Sequence, residues 1–214
     1  MKKNSRVILA LDVQEEEKAL SVSESTGDTV DAIKIGYPLV LACGLEIVSK
    51  ISKLSEVICD FKVADIPNVN KLIVENAIRK GASGVICHGF VGRDSIEACV
   101  KAAGGKDVFV VVEMSHPGGV EFYQPTTEKF AKLAVEAGAS GVIAPATRPE
   151  RITYIRGLVG DLKILTPGVG AQGGNAQQAI SAGADYVIVG RSIYQADDPR
   201  IVAEDIANEI KTIT

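Results

Sequence analysis

Asp60 and Lys62 stand two residues apart behind the apolar run Val57-Ile58-Cys59, and Asp65 follows three residues later. Residues i and i+2 of a strand point to one face. A carboxylate and an ammonium therefore project together, while Cys59 and Phe61 face the surrounding helices. Such a pair either ties elements together or holds charge and a proton at a reacting atom. Burying an ion pair is often no net gain in stability, which favours the chemical role. A second constellation is Thr166-Pro167-Gly168-Val169-Gly170-Ala171-Gln172-Gly173-Gly174, with four glycines among residues 168–174. Glycine lets backbone amides approach a ligand closely, and the helix that follows offers its N-terminus to an anion. Val189-Gly190-Arg191-Ser192 adds a fixed guanidinium. Together these residues describe a site for a small phosphorylated metabolite.

Holding such groups in place requires a rigid frame. Short runs rich in Val and Ile predict strands at 6–11, 32–35, 57–61, 84–87, 108–112, 141–144, 163–165 and 186–189. They alternate little between apolar and polar, as strands buried on both faces of a parallel sheet do. Helices are predicted between them, near 15–26, 38–53, 68–80, 93–103, 127–137, 149–158, 175–182 and 199–212. Asp198-Pro199 places a capping acceptor before proline at the first helical position. Thr147-Arg148-Pro149-Glu150 has capping-box spacing, and Glu15, Glu16 and Glu17 suit the start of the first helix. Gly81-Ala82-Ser83-Gly84-Val85-Ile86 recurs at 138–143, and again at 183–188 as Gly183-Ala184-Asp185-Tyr186-Val187-Ile188. Each glycine marks a helix end before a buried strand. Eight βα units in one series predict an α/β fold, a (β/α)8 TIM barrel forming a single domain over residues 1–214. A doubly wound open sheet is the competitor. It usually has fewer strands at this length, and no G-x-G-x-x-G follows the first strand.

Active sites of such barrels lie at the C-terminal strand ends. Those ends carry, in order, Asp12, Lys34, Asp60 with Lys62, His88, Glu113 with Ser115, Pro145, Pro167 and Arg191. Loops after the seventh and eighth strands form the recurrent phosphate site of this fold, and the glycine loop and Arg191 fall there. His88 is read as a hydrogen-bonded structural residue rather than an acid or base, and Glu113 as part of the barrel-wall network. The loop 115–119 is long enough to cover a ligand, with the Ser115 hydroxyl available to it. Tyr123 and Tyr194 are read as packing.

A hydrophobic fraction of 46% and a charged fraction of 23% suit a globular chain. The net charge of -4 excludes a general nucleic-acid binder, which should be basic, and gives no reason to invoke a membrane surface. No apolar run approaches the roughly 20 residues of a membrane helix. The run behind the basic start Met1-Lys2-Lys3-Asn4-Ser5-Arg6 ends at Asp12 without a small-residue cleavage site. A cytoplasmic location is expected. Cys43, Cys59, Cys87 and Cys99 form no C-x-x-C pair and no zinc-finger spacing, so buried thiols in a reducing compartment are expected.

With these residues in view, the chain resembles the orotidine 5′-monophosphate decarboxylases over nearly its full length, in the short form common in archaea. The matching stretches are Leu9-Ala10-Leu11-Asp12, Ile33-Lys34-Ile35-Gly36-Tyr37-Pro38-Leu39 and Asp60-Phe61-Lys62-Val63-Ala64-Asp65-Ile66-Pro67. They continue as Glu113-Met114-Ser115-His116-Pro117-Gly118, Pro167 to Gly174, and Val189-Gly190-Arg191-Ser192-Ile193-Tyr194. D-x-K-x-x-D alone is shared with sister enzymes, whereas the whole set is specific.

The resemblance implies decarboxylation of orotidine 5′-monophosphate to uridine 5′-monophosphate, the last step of de novo UMP biosynthesis, with no metal or cofactor. It implies an alternating charge network of Lys34, Asp60, Lys62 and Asp65, with Lys62 as proton donor to C6 of the pyrimidine. Asp12 and Lys34 would hold the ribose. Asp65 would reach the neighbouring site of an obligate homodimer, at the ribose 2′-hydroxyl. Ser115 and Gln172 would read the pyrimidine, Gln172 would also touch the phosphate gripped by Arg191, and Pro167 and Gly190 complete the substrate-binding set. Val69 departs from the threonine of many relatives, which puts one minor contact in doubt. The sister enzymes 3-keto-L-gulonate-6-phosphate decarboxylase and hexulose-phosphate synthase bind magnesium and carry an acidic residue at the position of Lys34. A lysine cannot ligate a hard cation. A non-catalytic nucleotide-binding paralogue should have lost part of the tetrad, and a phosphate-binding barrel isomerase would not need D-x-K-x-x-D.

Overall fold

Val and Ile dominate the predicted strand segments, and each segment becomes a parallel strand of one closed barrel in the computed structural model, which describes residues 3–213. Met1 and Lys2 of the basic N-terminal stretch lie outside the described residues. The first half runs β1 Val7–Ala10, α1 Glu16–Thr26, β2 Ala32–Gly36, α2 Tyr37–Cys43, α3 Glu46–Ile51, β3 Val57–Val63, α4 Pro67–Arg79, β4 Gly84–His88 and α5 Arg93–Ala103. The second runs β5 Asp107–Val111, α6 Gly119–Phe122, α7 Thr127–Glu136, β6 Gly141–Ile143, α8 Pro149–Val159, β7 Lys163–Pro167, α9 Ala176–Ser181, β8 Tyr186–Val189, α10 Arg191–Tyr194 and α11 Pro199–Lys211. Pairing of β1 with both β2 (Ile8 beside Ala32) and β8 (Leu9 beside Val189) closes the ring.

Alternating strand residues divide the core in two. Val7 and Leu9 join the helices in the outer layer, whereas Ile8, Ala10, Ile58, Ile86, Phe109 and Ile188 fill the barrel. The six-residue echo, present three times in the sequence, acquires a packing reason here. A Cβ on Gly141 would lie 2.9 Å from the Phe109 ring, and one on Gly84 would lie 3.2 Å from it. These glycines open β6 and β4, the neighbours of β5, and leave space for the ring; the third copy has Tyr186 at that place, which itself fills the barrel. The preceding glycines end their helices as expected. Gly81, Gly138 and Gly183 have φ of +97°, +72° and +110°. Each following alanine N–H returns to a carbonyl five residues back, Ala82 to Ala77, Ala139 to Ala134 and Ala184 to Ala179, the Schellman closure.

Several boundaries move. The helix predicted over 38–53 breaks into α2 and α3 at Gly44, whose φ of +77° a helix cannot accommodate. β3 continues to Val63, two residues beyond the predicted end. Asp198 caps α11 by accepting from the Arg200 and Ile201 amides. The capping box at the start of α8 does not form: Arg148 is the N-cap residue, and the Thr147 hydroxyl instead donates to the Ser115 carbonyl at 3.0 Å.

Candidate active site

The C-terminal mouth of the barrel contains a cavity of about 430 Å³. Asp12, Lys34, Asp60 and Lys62 line one side, and Ser115, Pro167, Gln172, Gly190 and Arg191 the other. Asp60 is the electrostatic centre. Its Oδ2 lies 2.9 Å from Lys34 Nζ, and both its oxygens accept from Lys62 Nζ at 3.0 Å. Asp12 stands further off, with Oδ1 3.9 Å from Lys34 Nζ. Burial disfavours the Lys34 ammonium, but Asp60 and then Asp12 outweigh it and raise its pKa. Burial likewise works against the Asp60 carboxylate, and Lys34 and then Lys62 outweigh it and lower its pKa. An ammonium aimed into a barrel mouth by a buried carboxylate can stabilise a carbanion and donate a proton to it.

Lys62 reaches this position through unusual backbone. The register between β3 and β4 shifts between Cys59 and Val63, and Lys62 has φ +41°. A non-glycine residue there costs on the order of 1–3 kcal/mol. Cys59 and Phe61 pack outward as expected. Asp65 does not line the cavity. It is exposed on a braced loop: its amide donates to Asn70 Oδ1 at 2.9 Å, and its carbonyl accepts from Asn70 Nδ2 and Ser95 Oγ, each at 2.9 Å.

Opposite the charge cluster, Ser115 Oγ donates to Gln172 Oε1 at 2.8 Å, tying the loop after β5 to the glycine loop after β7. Gly168, Gly170 and Gly173 adopt φ of +106°, +73° and +89°, and amide contacts from Gly170 and Gly174 fold the loop on itself. The anticipated anion site at the start of α9 is not on the cavity. Asn175 caps that helix by accepting from the Gln178 amide, and the start that faces the cavity is that of α10, at Gly190 and Arg191. The Arg191 side chain is exposed and makes no hydrogen bond or ion pair among the described residues. Tyr194, read as packing, also lines the cavity.

Behind this wall Glu113 is fully buried and accepts from Arg151 Nε at 2.9 Å, Thr127 Oγ1 at 3.1 Å and Gln124 Nε2 at 3.2 Å. Arg148 also pairs with Glu113 and donates to the Met114 carbonyl. Sequence reasoning missed Arg148, because its role depends on which carbonyls the loop turns inward. His88 is a structural partner: Nδ1 meets Tyr123 Oη at 2.9 Å.

Burial, and then the Lys62 ammonium, lower the His88 pKa to about 4. An unfolded histidine titrates near 6.5. Between those values the unfolded chain takes up a proton that the folded chain refuses, so stability should fall as pH drops from about 6.5 towards about 4. His88→Asn retains a possible acceptor for Tyr123 and removes the titrating ring. Urea unfolding across this range should lose part of its slope; an unchanged slope would assign it to other groups.

A family profile described as "Orotidine 5′-phosphate decarboxylase / HUMPS family" matches residues 5–206. The chain is 59% identical to orotidine 5′-phosphate decarboxylase of Methanosarcina mazei, over 99% of this chain and 97% of that protein. It is 54% identical to the enzyme of the same name from Thermococcus kodakarensis, over 96% and 97%. The crystal structure of orotidine 5′-monophosphate decarboxylase from Methanocaldococcus jannaschii, complexed with the inhibitor BMP, superposes with a TM-score of 0.91 at 45% identity, covering 95% of this chain and 97% of that one. With its barrel and its sequence shared with these proteins, the chain belongs to the orotidine 5′-phosphate decarboxylase / HUMPS family.

Proposed function

We propose that this chain converts orotidine 5′-monophosphate to uridine 5′-monophosphate and carbon dioxide, the last step of de novo pyrimidine nucleotide biosynthesis, with residues 1–214 acting as one decarboxylase domain. The observation that carries this reading is Asp60 held between Lys34 and Lys62, across one cavity from Arg191. When the bond from C6 to the carboxylate breaks, its electron pair stays on C6 and carbon dioxide departs. The resulting sp² carbanion has no adjacent carbonyl to delocalise it, so stabilisation must come from fixed charge. Lys62 supplies that charge and then gives a proton to C6, and its neutral amine regains a proton from solvent. Asp60 accepts from the Lys62 ammonium through both oxygens and aims it. Asp12 and Lys34 hold the ribose, and Ser115 and Gln172 read the pyrimidine with Pro167 beside them. Arg191, Gly190 and Gln172 hold the phosphate, whose remote binding energy helps close the glycine loop.

A magnesium-dependent sister activity fits the donors less well, because two ammoniums occupy the space around Asp60 that a hard cation and its oxygen ligands would need. The test is to add orotidine 5′-monophosphate to metal-stripped protein in excess chelator and follow its absorbance. Conversion to uridine monophosphate is expected. No conversion with or without magnesium, together with magnesium-dependent turnover of 3-keto-L-gulonate 6-phosphate, would overturn the reading.

The working unit is a homodimer in which each Asp65 completes the other subunit's site at the ribose 2′-hydroxyl. Asp65 is rigidly held yet outside its own cavity, and Tyr37, Leu41, Ile66, Leu72 and Phe90 are exposed apolar residues on the segments following β2, β3 and β4. Mixing Lys62→Ala with Asp65→Ala chains should restore about a quarter of wild-type activity at equal proportions, one intact site per mixed dimer. Activity no higher than that of the separate variants would rule out the shared site. Four free cysteines, and the lack of any helix among the described residues long and apolar enough to cross a membrane, support a cytoplasmic setting.

A further inference from the structure

β3 extends past Asp60, the last residue that pairs with β2 (Gly36 beside Asp60). Beyond it, Lys62 sits in the register shift with φ +41°, a backbone region that side chains other than glycine, asparagine and aspartate seldom occupy. The peptide joining Phe61 to Lys62 is the one whose orientation sets that angle. Its carbonyl accepts a hydrogen bond from Tyr37 Oη at 2.6 Å. The Tyr37 ring also stacks on the Phe61 ring, with centroids 5.7 Å apart and planes at 20°. Tyr37 is the first residue of α2, directly after β2 ends at Gly36. Where β2 turns into a helix it offers no further strand backbone to β3. The tyrosine hydroxyl reaches across in its place. Burial, and then Asp60, raise the pKa of this hydroxyl, so it carries its proton at neutral pH and can donate.

We infer that Tyr37 is a positioning residue for the decarboxylation: by holding the Phe61 carbonyl, it fixes the left-handed backbone of Lys62 and so aims the ammonium at Asp60 and the cavity. This rests on the reading of Lys62 as the group that acts at C6. Without the hydroxyl, the Phe61–Lys62 peptide is free to relax towards extended geometry, which swings the lysine stem away from the reacting carbon. Misplacement of a reacting group by about 1 Å can cost on the order of 10²-fold in rate. Nothing in this requires the tyrosine to touch substrate.

Tyr37→Phe tests it, because the ring stack is kept and one hydrogen bond is removed. Compared with wild type on orotidine 5′-monophosphate, kcat should fall about tenfold or more while KM and the Kd of uridine monophosphate stay within about twofold. Amide hydrogen exchange should quicken in peptides covering Val57–Val63 and nowhere else, with assembly unchanged by size-exclusion chromatography. A wild-type chain inactive on this substrate overturns the functional reading itself. An active wild type with a Tyr37→Phe kcat within about twofold of it overturns the role of Tyr37 alone. So does a loss of kcat accompanied by faster exchange throughout the chain, which would mark a general structural role.

Discussion

Lys62→Ala should lower kcat on orotidine 5′-monophosphate by on the order of 10⁵-fold or more while uridine monophosphate still binds measurably. Two effects combine in this figure. A unit charge about 4 Å from the carbanion contributes roughly 4 kcal/mol at an effective dielectric near 20, or about 10³-fold at 1.36 kcal/mol per factor of ten. Loss of a positioned proton donor removes a further factor of about 10²–10⁴. The proposed phosphate and ribose contacts lie on other strands and should still hold the product, so calorimetry with uridine monophosphate separates binding from turnover. Turnover within tenfold of wild type would remove Lys62 from the mechanism.

Asp60→Asn should affect both stability and rate. It leaves the Lys34 ammonium buried, and Lys62 beside it, without the carboxylate that now meets both. Removing one member of a buried ion pair typically costs about 3–5 kcal/mol, and urea unfolding near neutral pH should show a loss of that order. The pH dependence gives its sign independently. The folded Asp60 pKa is lowered, so its stabilising contribution is present above the usual carboxylate value near 3.9 and is lost as pH falls through the lower folded value. Lys34 is raised, so its contribution is present below about 10.4 and is lost as pH climbs through the folded value. The variant should lose stability across the whole range between. Lys34→Met in the Asp60→Asn background should recover part of the stability and none of the activity. Equal stability of Asp60→Asn and wild type would mean that the cluster is not electrostatically coupled.

The barrel was legible because its strands are buried on both faces, which leaves a run of Val and Ile in the sequence. The mouth was legible for a related reason: charge at strand ends such as Lys34, Asp60 and Arg191 stands out against that apolar background. The features that escaped depend on backbone direction. The residue types at 147–150 suit a capping box, but the Thr147 hydroxyl turns to the Ser115 carbonyl. The helix start that lines the cavity lies at Gly190 rather than at Asn175, whose side chain caps its own helix. Alternation along β3 correctly placed Asp60 and Lys62 on one face, yet nothing in the residue types signals that a lysine adopts a left-handed angle. Tyr37 was invisible for the same cause, because its partner is a backbone carbonyl. The bland reading of Tyr194 overlooked its place on α10, one turn beyond Arg191, where a short helix returns it to the cavity.

In the proposed mechanism this mouth stabilises a carbanion at C6 and Lys62 delivers the proton. By microscopic reversibility the same site must remove the C6 proton of the product. Wild-type protein and Lys62→Ala should therefore each be incubated with uridine 5′-monophosphate in D₂O, and the C6 proton followed by NMR. Deuterium should enter C6 with wild type and not with Lys62→Ala. No exchange with wild type, or equal exchange with both, would contradict the account.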